Sequence, residues 1–232
     1  MTDLALWQYL TIALLFVWGG FVRSGLGFGG AVLTLPFLLM VHNAPLVYLP
    51  IISVHLLLFS FLTIAQAHLR GRRAGNAVTG PVQTTVNWAF LRYALPLMLI
   101  PKLIGVAGGI TLPATEVSSF IFAFFMILGG YVSGTSLIAA PLVVPVAASR
   151  VARHELRDTL FVLWFVLVAI KLIAFAWTGI DLQWRHHLWL LPCAAVGHVL
   201  GLRFHDYTLR ADTALFFRVL GVGLLTVSMA GL

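Results

Sequence analysis

The stretch FVRSGLGFGGAVLTLP, residues 21–36, decides the fold, because it is a glycine-rich interruption between two apolar runs. Four glycines fall within six positions, namely Gly25, Gly27, Gly29 and Gly30. Each glycine weakens a helix by about 1 kcal/mol relative to alanine. Irregular backbone inside a bilayer persists only where protein or a water-filled cavity satisfies its N–H and C=O groups. Because Arg23 stands beside the break, the stretch predicts a site that binds an anion.

The composition is that of a membrane protein. Of 232 residues, 61% are hydrophobic and only 9% are charged, whereas a soluble domain carries about 25% charged residues. The apolar segments fall at 4–22, 31–41, 46–68, 87–106, 117–132, 137–148, 159–178, 188–202 and 213–231. A full span needs about 20 residues, so we interpret the short segments 31–41 and 137–148 as half-helices or re-entrant segments. The first run has no basic flank before it, and we interpret it as a retained span.

Several functional classes are excluded by what the sequence lacks. The net charge of +7 comes from Lys and Arg between apolar runs, which the positive-inside rule produces, so we expect no nucleic-acid partner. The eight histidines have no metal-ligand spacing, and we expect no metal and no cofactor. The sequence has no HExxH, P-loop or GxSxG motif, so we do not expect an enzyme.

The chain repeats itself, which predicts a duplication of two halves, 1–114 and 115–232. At an offset of 109 residues, Ser24, Gly25 and Pro36 match Ser133, Gly134 and Pro145. At an offset of 96 residues, Trp88, Pro96 and Gly105 match Trp184, Pro192 and Gly201. The difference between the offsets is absorbed in the first half by a longer loop containing RGRR at 70–73.

The basic loops indicate how the halves are oriented. Arginines cluster at 70–73, 150–157 and 203–210, and placing them in the cytoplasm requires each broken pair, 4–41 and 117–148, to cross once. The halves are then inverted, whereas counting each short segment as a full span makes them parallel. We therefore predict an all-α polytopic membrane protein built from two homologous, inverted helical repeats with broken or re-entrant helices.

The candidate binding residues lie mainly in the two breaks. The first break supplies Arg23, Ser24, Gly25, Gly27, Gly29 and Gly30, and the second supplies Ser133, Gly134, Thr135 and Ser136. Half-helix N-termini at the breaks would direct amide donors toward one central anion. The alternative is that the glycines only let helices pack closely, as the GxxxG pairs Gly105/Gly109 and Gly197/Gly201 are expected to do. Arg23 has the alternative of snorkelling or of holding the break in shape.

Four further basic positions lie within spans. Lys171 sits near the middle of an apolar run and is a candidate site residue, with snorkelling as the alternative. His55 is a candidate as well, although buried neutral histidines commonly serve packing. His198 and Lys102 occupy equivalent positions of the two halves. No Asp or Glu occupies the middle of a span, so the embedded field favours an anion, and any coupled proton must titrate His55, His198 or the substrate.

The chain resembles the TauE/SafE sulfite exporter family of bacterial and archaeal membrane proteins. The resemblance rests on GFVRSGLGFGGAVLTLP at 20–36, GGYVSGTSLIAAPL at 129–142, HELRDTL at 154–160 and GHVLGLRFHDYTLRADTALFFRVLGVGLL at 197–225. It implies a two-repeat transporter of small sulfur-containing anions such as sulfite or organosulfonates, with the paired signatures lining the route. Ile138, Ala139 and Ala140 replace the glycines that the second signature is expected to carry.

The functional prediction is a secondary transporter of a small anion (sulfite, an organosulfonate or a related carboxylate) in the bacterial cytoplasmic membrane. Arg23 and the amides of Gly25 to Gly30 would bind the anion, Ser133 to Ser136 would close the opposite side, and Lys171 would tune the field. The alternatives are a passive anion channel and a non-transporting scaffold whose breaks are dry. The sequence leaves open the coupling ion, the direction of transport and the oligomeric state, a homodimer included.

Overall fold

The computed structural model describes residues 4–75, 86–107, 123–131 and 140–210, together with residues 218 and 222. Within these ranges all regular secondary structure is helical, which confirms the predicted all-α class. The helices are α1 (Leu6–Leu26), α2 (Gly30–Val41), α3 (Pro45–Gly75), α4 (Trp88–Ala107), α5 (residues 123–131), α6 (Ala140–Ala148), α7 (Arg153–Trp177) and α8 (Trp184–Arg210).

Four of the described helices are long and apolar enough to cross a membrane. They supply the segments Leu6–Leu26, Pro45–Gln66, His154–Trp177 and Trp184–Tyr207. The first predicted short segment is short in the structure too, since α2 has 12 residues, too few to cross a bilayer alone. The second predicted short segment, 137–148, begins outside the described residues and stays a prediction. The chain is therefore a multi-pass helical membrane protein.

The first break is shorter than predicted. Arg23, Ser24 and Gly25 were expected in irregular backbone, but they form the last turn of α1. The helix ends at Gly27, whose left-handed φ of 82° lets its N–H donate to the Arg23 carbonyl at 2.8 Å. Gly29, with φ 81°, starts α2. The prediction was wrong by about one turn because a single glycine in a helix costs only about 1 kcal/mol.

A second correction concerns the basic stretch 70–73. We predicted a loop there, but α3 continues to Gly75 and includes these residues. The stretch follows the apolar segment Pro45–Gln66. Leaving the apolar region therefore does not end the helix, because Arg and Ala are good helix formers in water as well.

The chain divides into two compact units. The α1/α8 unit comprises Met1–Leu56 and Ile170–Leu232, and the α4/α5 unit comprises Leu57–Ala169. The division falls within α3 and α7. These units are defined by packing, and the predicted repeats at 1–114 and 115–232 stay a prediction.

In the α1/α8 unit, α1 packs mainly against α8 and α2. Glycines allow the close approach, since a Cβ on Gly197 would overlap the Val17 carbonyl and one on Gly201 would overlap the Phe21 carbonyl. The expectation that these two glycines form a helix contact is confirmed. The other predicted pair of this kind, Gly105 and Gly109, ends outside the described residues.

In the α4/α5 unit, α5 packs against α4 and α6 in the same manner. A Cβ on Gly130 would overlap the Met98 carbonyl of α4. Asn87 caps α4, because its Oδ1 accepts the Phe90 N–H at 2.9 Å while its Nδ2 donates to Glu155 Oε2 at 3.0 Å. This unit is thus held by backbone proximity and by one polar cap.

Candidate functional site

A small cavity lies beside the first break, wholly within the α1/α8 unit. Its volume is about 20 Å³, which is room for about one water molecule. Helices α1, α2, α3 and α8 contribute its wall, through Phe16, Gly19, Gly20, Arg23, Gly30, Ala31, Thr34, Ile52, His55, Leu56 and Ala194. Three of the predicted binding residues, Arg23, Gly30 and His55, are therefore brought together.

Arg23 reaches the cavity from the last turn of α1, and only 7% of it is exposed. Gly30 allows the start of α2 to approach it, since a Cβ on Gly30 would lie 2.8 Å from Arg23 Cβ and 2.8 Å from the Gly19 carbonyl oxygen. A guanidinium and a helix N-terminus both carry positive charge. Their proximity means that the cavity has a positive field.

The amide donors are fewer than predicted. The Gly27 N–H donates to the Arg23 carbonyl, so it is already hydrogen-bonded within the protein. Gly25 lies within α1. The first intrahelical bond of α2 joins Leu33 N–H to the Gly29 carbonyl at 2.8 Å. The first-turn N–H groups that precede it have no intrahelical acceptor, and Gly29 has no side chain to cap them. Of the residues that carry them, Gly30 and Ala31 line the cavity.

Thr34 is a cavity residue that the sequence analysis missed. It is 2% exposed, and its Oγ1 has no hydrogen-bond partner among the described residues. A buried hydroxyl without a partner costs about 1–3 kcal/mol, so its retention calls for a reason. The available signal was a lone polar residue in AVLTLP, one helical turn after the break.

His55 enters the cavity from α3 and is 2% exposed. Its ring centroid lies 5.4 Å from that of Phe16 and 5.1 Å from that of His187, both at steep interplanar angles. His187 donates from Nε2 to the Leu182 carbonyl at 3.0 Å. The predicted candidate His55 is thus placed at the cavity, and His187 is a neighbour that the sequence analysis did not single out.

Ser24 faces α8 and is not among the residues lining the cavity. It is fully buried, and its Oγ lies 2.6 Å from His198 Nδ1. The next residue, Gly25, accepts a hydrogen bond at its carbonyl from His205 Nδ1 at 3.0 Å. Both histidines are buried. The last turn of α1 is therefore held to α8 by polar bonds as well as by glycine packing.

The other predicted residues that the structure describes, Gly25, Gly27, Gly29 and Lys171, do not line the cavity. Lys171 is 7% exposed on α7, with Nζ 5.7 Å from the Phe175 ring centroid, and it is not among the residues lining the cavity. The predicted second break, Ser133, Gly134, Thr135 and Ser136, lies outside the described residues.

The acids support the predicted sign of the field. In the described part of the α1/α8 unit the acids are Asp181 and Asp206, and both are exposed. Asp158, in the α4/α5 unit, is 3% exposed, and its Oδ1 accepts from Arg157 Nε at 2.9 Å. Apart from the Tyr48 phenol, every buried ionisable side chain in the described part of the α1/α8 unit is therefore a potential cation.

The fold and this site define a multi-pass helical membrane protein with a small, basic cavity at a helix break. A scan against protein-family models found no match, and searches of curated proteins and of solved structures likewise found none.

Proposed function

We propose that this protein is a secondary transporter that moves a small anion across the bacterial cytoplasmic membrane. The observation that carries the proposal is Arg23, a buried cation inside a membrane-spanning helix, at a cavity shared with the N-terminus of α2. Ionisable residues within spans are expensive to bury and commonly mark a substrate pathway.

The donor set suits an oxyanion. An anion entering the cavity would meet a guanidinium, the first-turn amides at Gly30 and Ala31, and the Thr34 hydroxyl. Arginine presents its donors in a planar fork that matches paired oxygen atoms. We infer that the cargo is sulfite, an organosulfonate or a related sulfur-containing or carboxylate anion, and the resemblance to the TauE/SafE family supports the sulfur-containing members of that set.

The size of the cavity favours a carrier over a channel. Room for about one water is too little for a four-atom oxyanion, so binding requires the surrounding helices to move. Alternating exposure by rocking one repeat against the other would supply that movement. Two inverted repeats are part of this proposal, and the paired glycine contacts of the two units support them. A passive anion channel is the alternative, which would need an open route at the same place.

The test is counterflow in proteoliposomes. Vesicles loaded with unlabelled sulfite, sulfate, methanesulfonate or acetate are diluted into the labelled anion, and a carrier accumulates label transiently. We expect counterflow with at least one sulfur oxyanion. Arg23→Ala should reduce the rate by about a hundredfold, since a charged hydrogen-bonding group contributes about 1.5–3 kcal/mol per bond.

The matched control is Arg203→Ala, which removes an exposed arginine from α8 and should retain the wild-type rate. Equal monodispersity and membrane abundance of the two variants would attribute the difference to the cavity. Wild-type counterflow in Arg23→Ala would remove Arg23 from the mechanism. Anion-selective current without counterflow would instead identify the channel.

A further inference from the structure

One face of α8 carries three buried histidines. His187, His198 and His205 are separated by 11 and 7 residues, which are close to three and two full helical turns. Their exposed fractions are 7%, 5% and 2%. The three histidines therefore lie along one side of α8. Ala194, which lines the cavity, lies between His187 and His198 on this helix.

Two of these histidines have a fixed hydrogen-bond direction. A carbonyl oxygen can only accept, so His205 carries its proton on Nδ1 toward Gly25, and His187 carries its proton on Nε2 toward Leu182. Nδ1 of His187 is buried without a partner among the described residues. In both bonds the histidine is already the donor.

His198 differs because its partner is a hydroxyl. Ser24 Oγ, 2.6 Å from His198 Nδ1, can donate to a neutral ring or accept from a protonated one. The pair therefore keeps its hydrogen bond in both protonation states. A buried group that must gain and lose a proton repeatedly needs this property, since a lost buried hydrogen bond costs about 1–3 kcal/mol.

The pair is also next to the cavity. Ser24 follows Arg23 in the chain, and His198 lies one helical turn beyond Ala194, which lines the cavity. On the other side along α8, the ring of His187 contacts that of His55, a further lining residue. A charge on His198 would thus lie about one turn from a bound anion.

We propose that His198, hydrogen-bonded to Ser24, is the proton-binding site of this protein and couples proton movement to anion movement in the same direction. The inference rests on the proposed transport function. Protonation adds positive charge beside the cavity, so the anion and the proton each favour binding of the other, by reciprocal amounts.

In the described part of the α1/α8 unit, no buried carboxylate lies around the pair. The buried ionisable groups on the described elements of this unit are Arg23 on α1, Tyr48 and His55 on α3, Lys171 on α7 and, besides His198, His187 and His205 on α8, while α2 has none. The described acids of this unit, Asp181 and Asp206, are exposed. Protonation of His198 therefore adds to the positive charge that Arg23 places at the cavity, and this favours entry of an anion.

The experiment uses purified full-length protein in liposomes that contain a trapped pH-sensitive dye, with the membrane potential clamped by potassium and valinomycin. Labelled methanesulfonate is the first probe, because its sulfonate stays ionised and any co-transported proton must bind the protein. An imposed gradient of about one pH unit should drive about tenfold accumulation on the alkaline side, with one proton per anion. Labelled sulfite is the second probe.

His198→Asn places an amide near the position of Nδ1 and cannot titrate. We expect it to retain counterflow within about threefold of wild type, whereas proton-driven accumulation falls about tenfold, to equilibrium, and the dye signal disappears. With sulfite, the substrate itself can carry protons, and this contribution is the same in wild type and in the variant. The difference in proton uptake between the two proteins therefore reports the proton bound by His198. The matched control His186→Asn, half-buried on the same helix, should stay fully coupled.

Proton-driven accumulation and dye signal at wild-type levels in His198→Asn would overturn the proposal. Should that variant fail to fold, Ser24→Ala tests the same pair, with the expectation that counterflow is retained and accumulation falls at least threefold. Unchanged accumulation in Ser24→Ala would likewise overturn it. Absence of counterflow for every anion in wild type would instead contradict the transport function, and counterflow without proton movement in wild type would contradict the coupling alone.

Discussion

Both units of the molecule pack helices through a pair of adjacent glycines, but the residues around these glycines differ in polarity. In the α1/α8 unit, a Cβ on Gly19 would overlap Thr34 Oγ1 of α2, and one on Gly20 would overlap the Ala194 carbonyl of α8. The α4/α5 unit contains a second pair of adjacent glycines used in the same way, in which Gly129 meets Val143 and Gly130 meets Met98. Adjacent glycines thus hold one helix against two neighbours in both units.

The difference lies in what surrounds the glycines. Three polar residues of the α1/α8 unit have apolar or aromatic counterparts in the α4/α5 unit at the offsets of 109 and 96. Val143 corresponds to Thr34, Trp164 to His55, and Leu91 to His187. The sequence GGFVRSG at 19–25 also becomes GGYVSG at 129–134, one residue shorter and without the arginine. If the predicted duplication holds, the described parts of the two units share the glycine packing, and they differ in the polar residues that line the cavity beside Arg23.

The largest effect is expected from breaking the shared packing. Gly197→Val places a side chain against the Val17 carbonyl, and backbone cannot move aside as a flexible side chain can. We expect destabilisation of about 3 kcal/mol or more, seen as loss of monodisperse protein in detergent. Gly130→Val in the other unit should cause a loss of similar size.

The control for this pair of variants is Val199→Leu, which enlarges an exposed side chain of α8 and should leave abundance unchanged. Normal yield and thermal stability of Gly197→Val would mean that the α1 and α8 backbones are not in contact. A large loss in one glycine variant and none in the other would break the equivalence of the two units.

A smaller effect is expected from exchanging the chemistry at one matched position. Thr34→Val gives the cavity the residue found at 143 and removes a buried hydroxyl without a described partner. We expect unchanged or slightly increased thermal stability together with about tenfold slower counterflow, since the hydroxyl would donate to a charged ligand. Val143→Thr should do the opposite, lowering stability by about 1–3 kcal/mol with counterflow unchanged.

Equal counterflow in wild type and Thr34→Val would remove Thr34 from the site. A marked loss of stability in Thr34→Val would indicate that the hydroxyl serves the fold, and the contrast between the two units would then be structural.

The sequence was sufficient to predict the class of fold. Segment length identified α2 as too short to cross a bilayer, and the GxxxG spacing identified Gly197 and Gly201 as a helix contact. These predictions succeeded because span length and backbone proximity depend on local composition. The end of α1 was less predictable, since packing against α8 keeps Gly25 helical.

The site was only partly predictable, because its members come from distant parts of the chain. The pattern singled out Arg23, Gly30 and His55, which the fold brings together, but it also offered Lys171, which lies elsewhere. The bond between Ser24 and His198 joins residues 174 positions apart and has no local signal. Thr34 had a local signal, since it is a hydroxyl residue in an apolar run. The sequence could not show that this hydroxyl is buried without a hydrogen-bond partner among the described residues.

The central claim, that the cavity beside Arg23 binds an anion, is tested most directly by titrating purified protein with sulfite, sulfate, methanesulfonate and acetate in a calorimeter. Arg23→Gln keeps a polar side chain that can donate hydrogen bonds, shorter than arginine, while removing the charge, and Arg203→Gln is the control. The account predicts saturable binding of a sulfur oxyanion by wild type and by Arg203→Gln, with affinity at least about tenfold weaker in Arg23→Gln. Equal affinity in wild type and Arg23→Gln would contradict it.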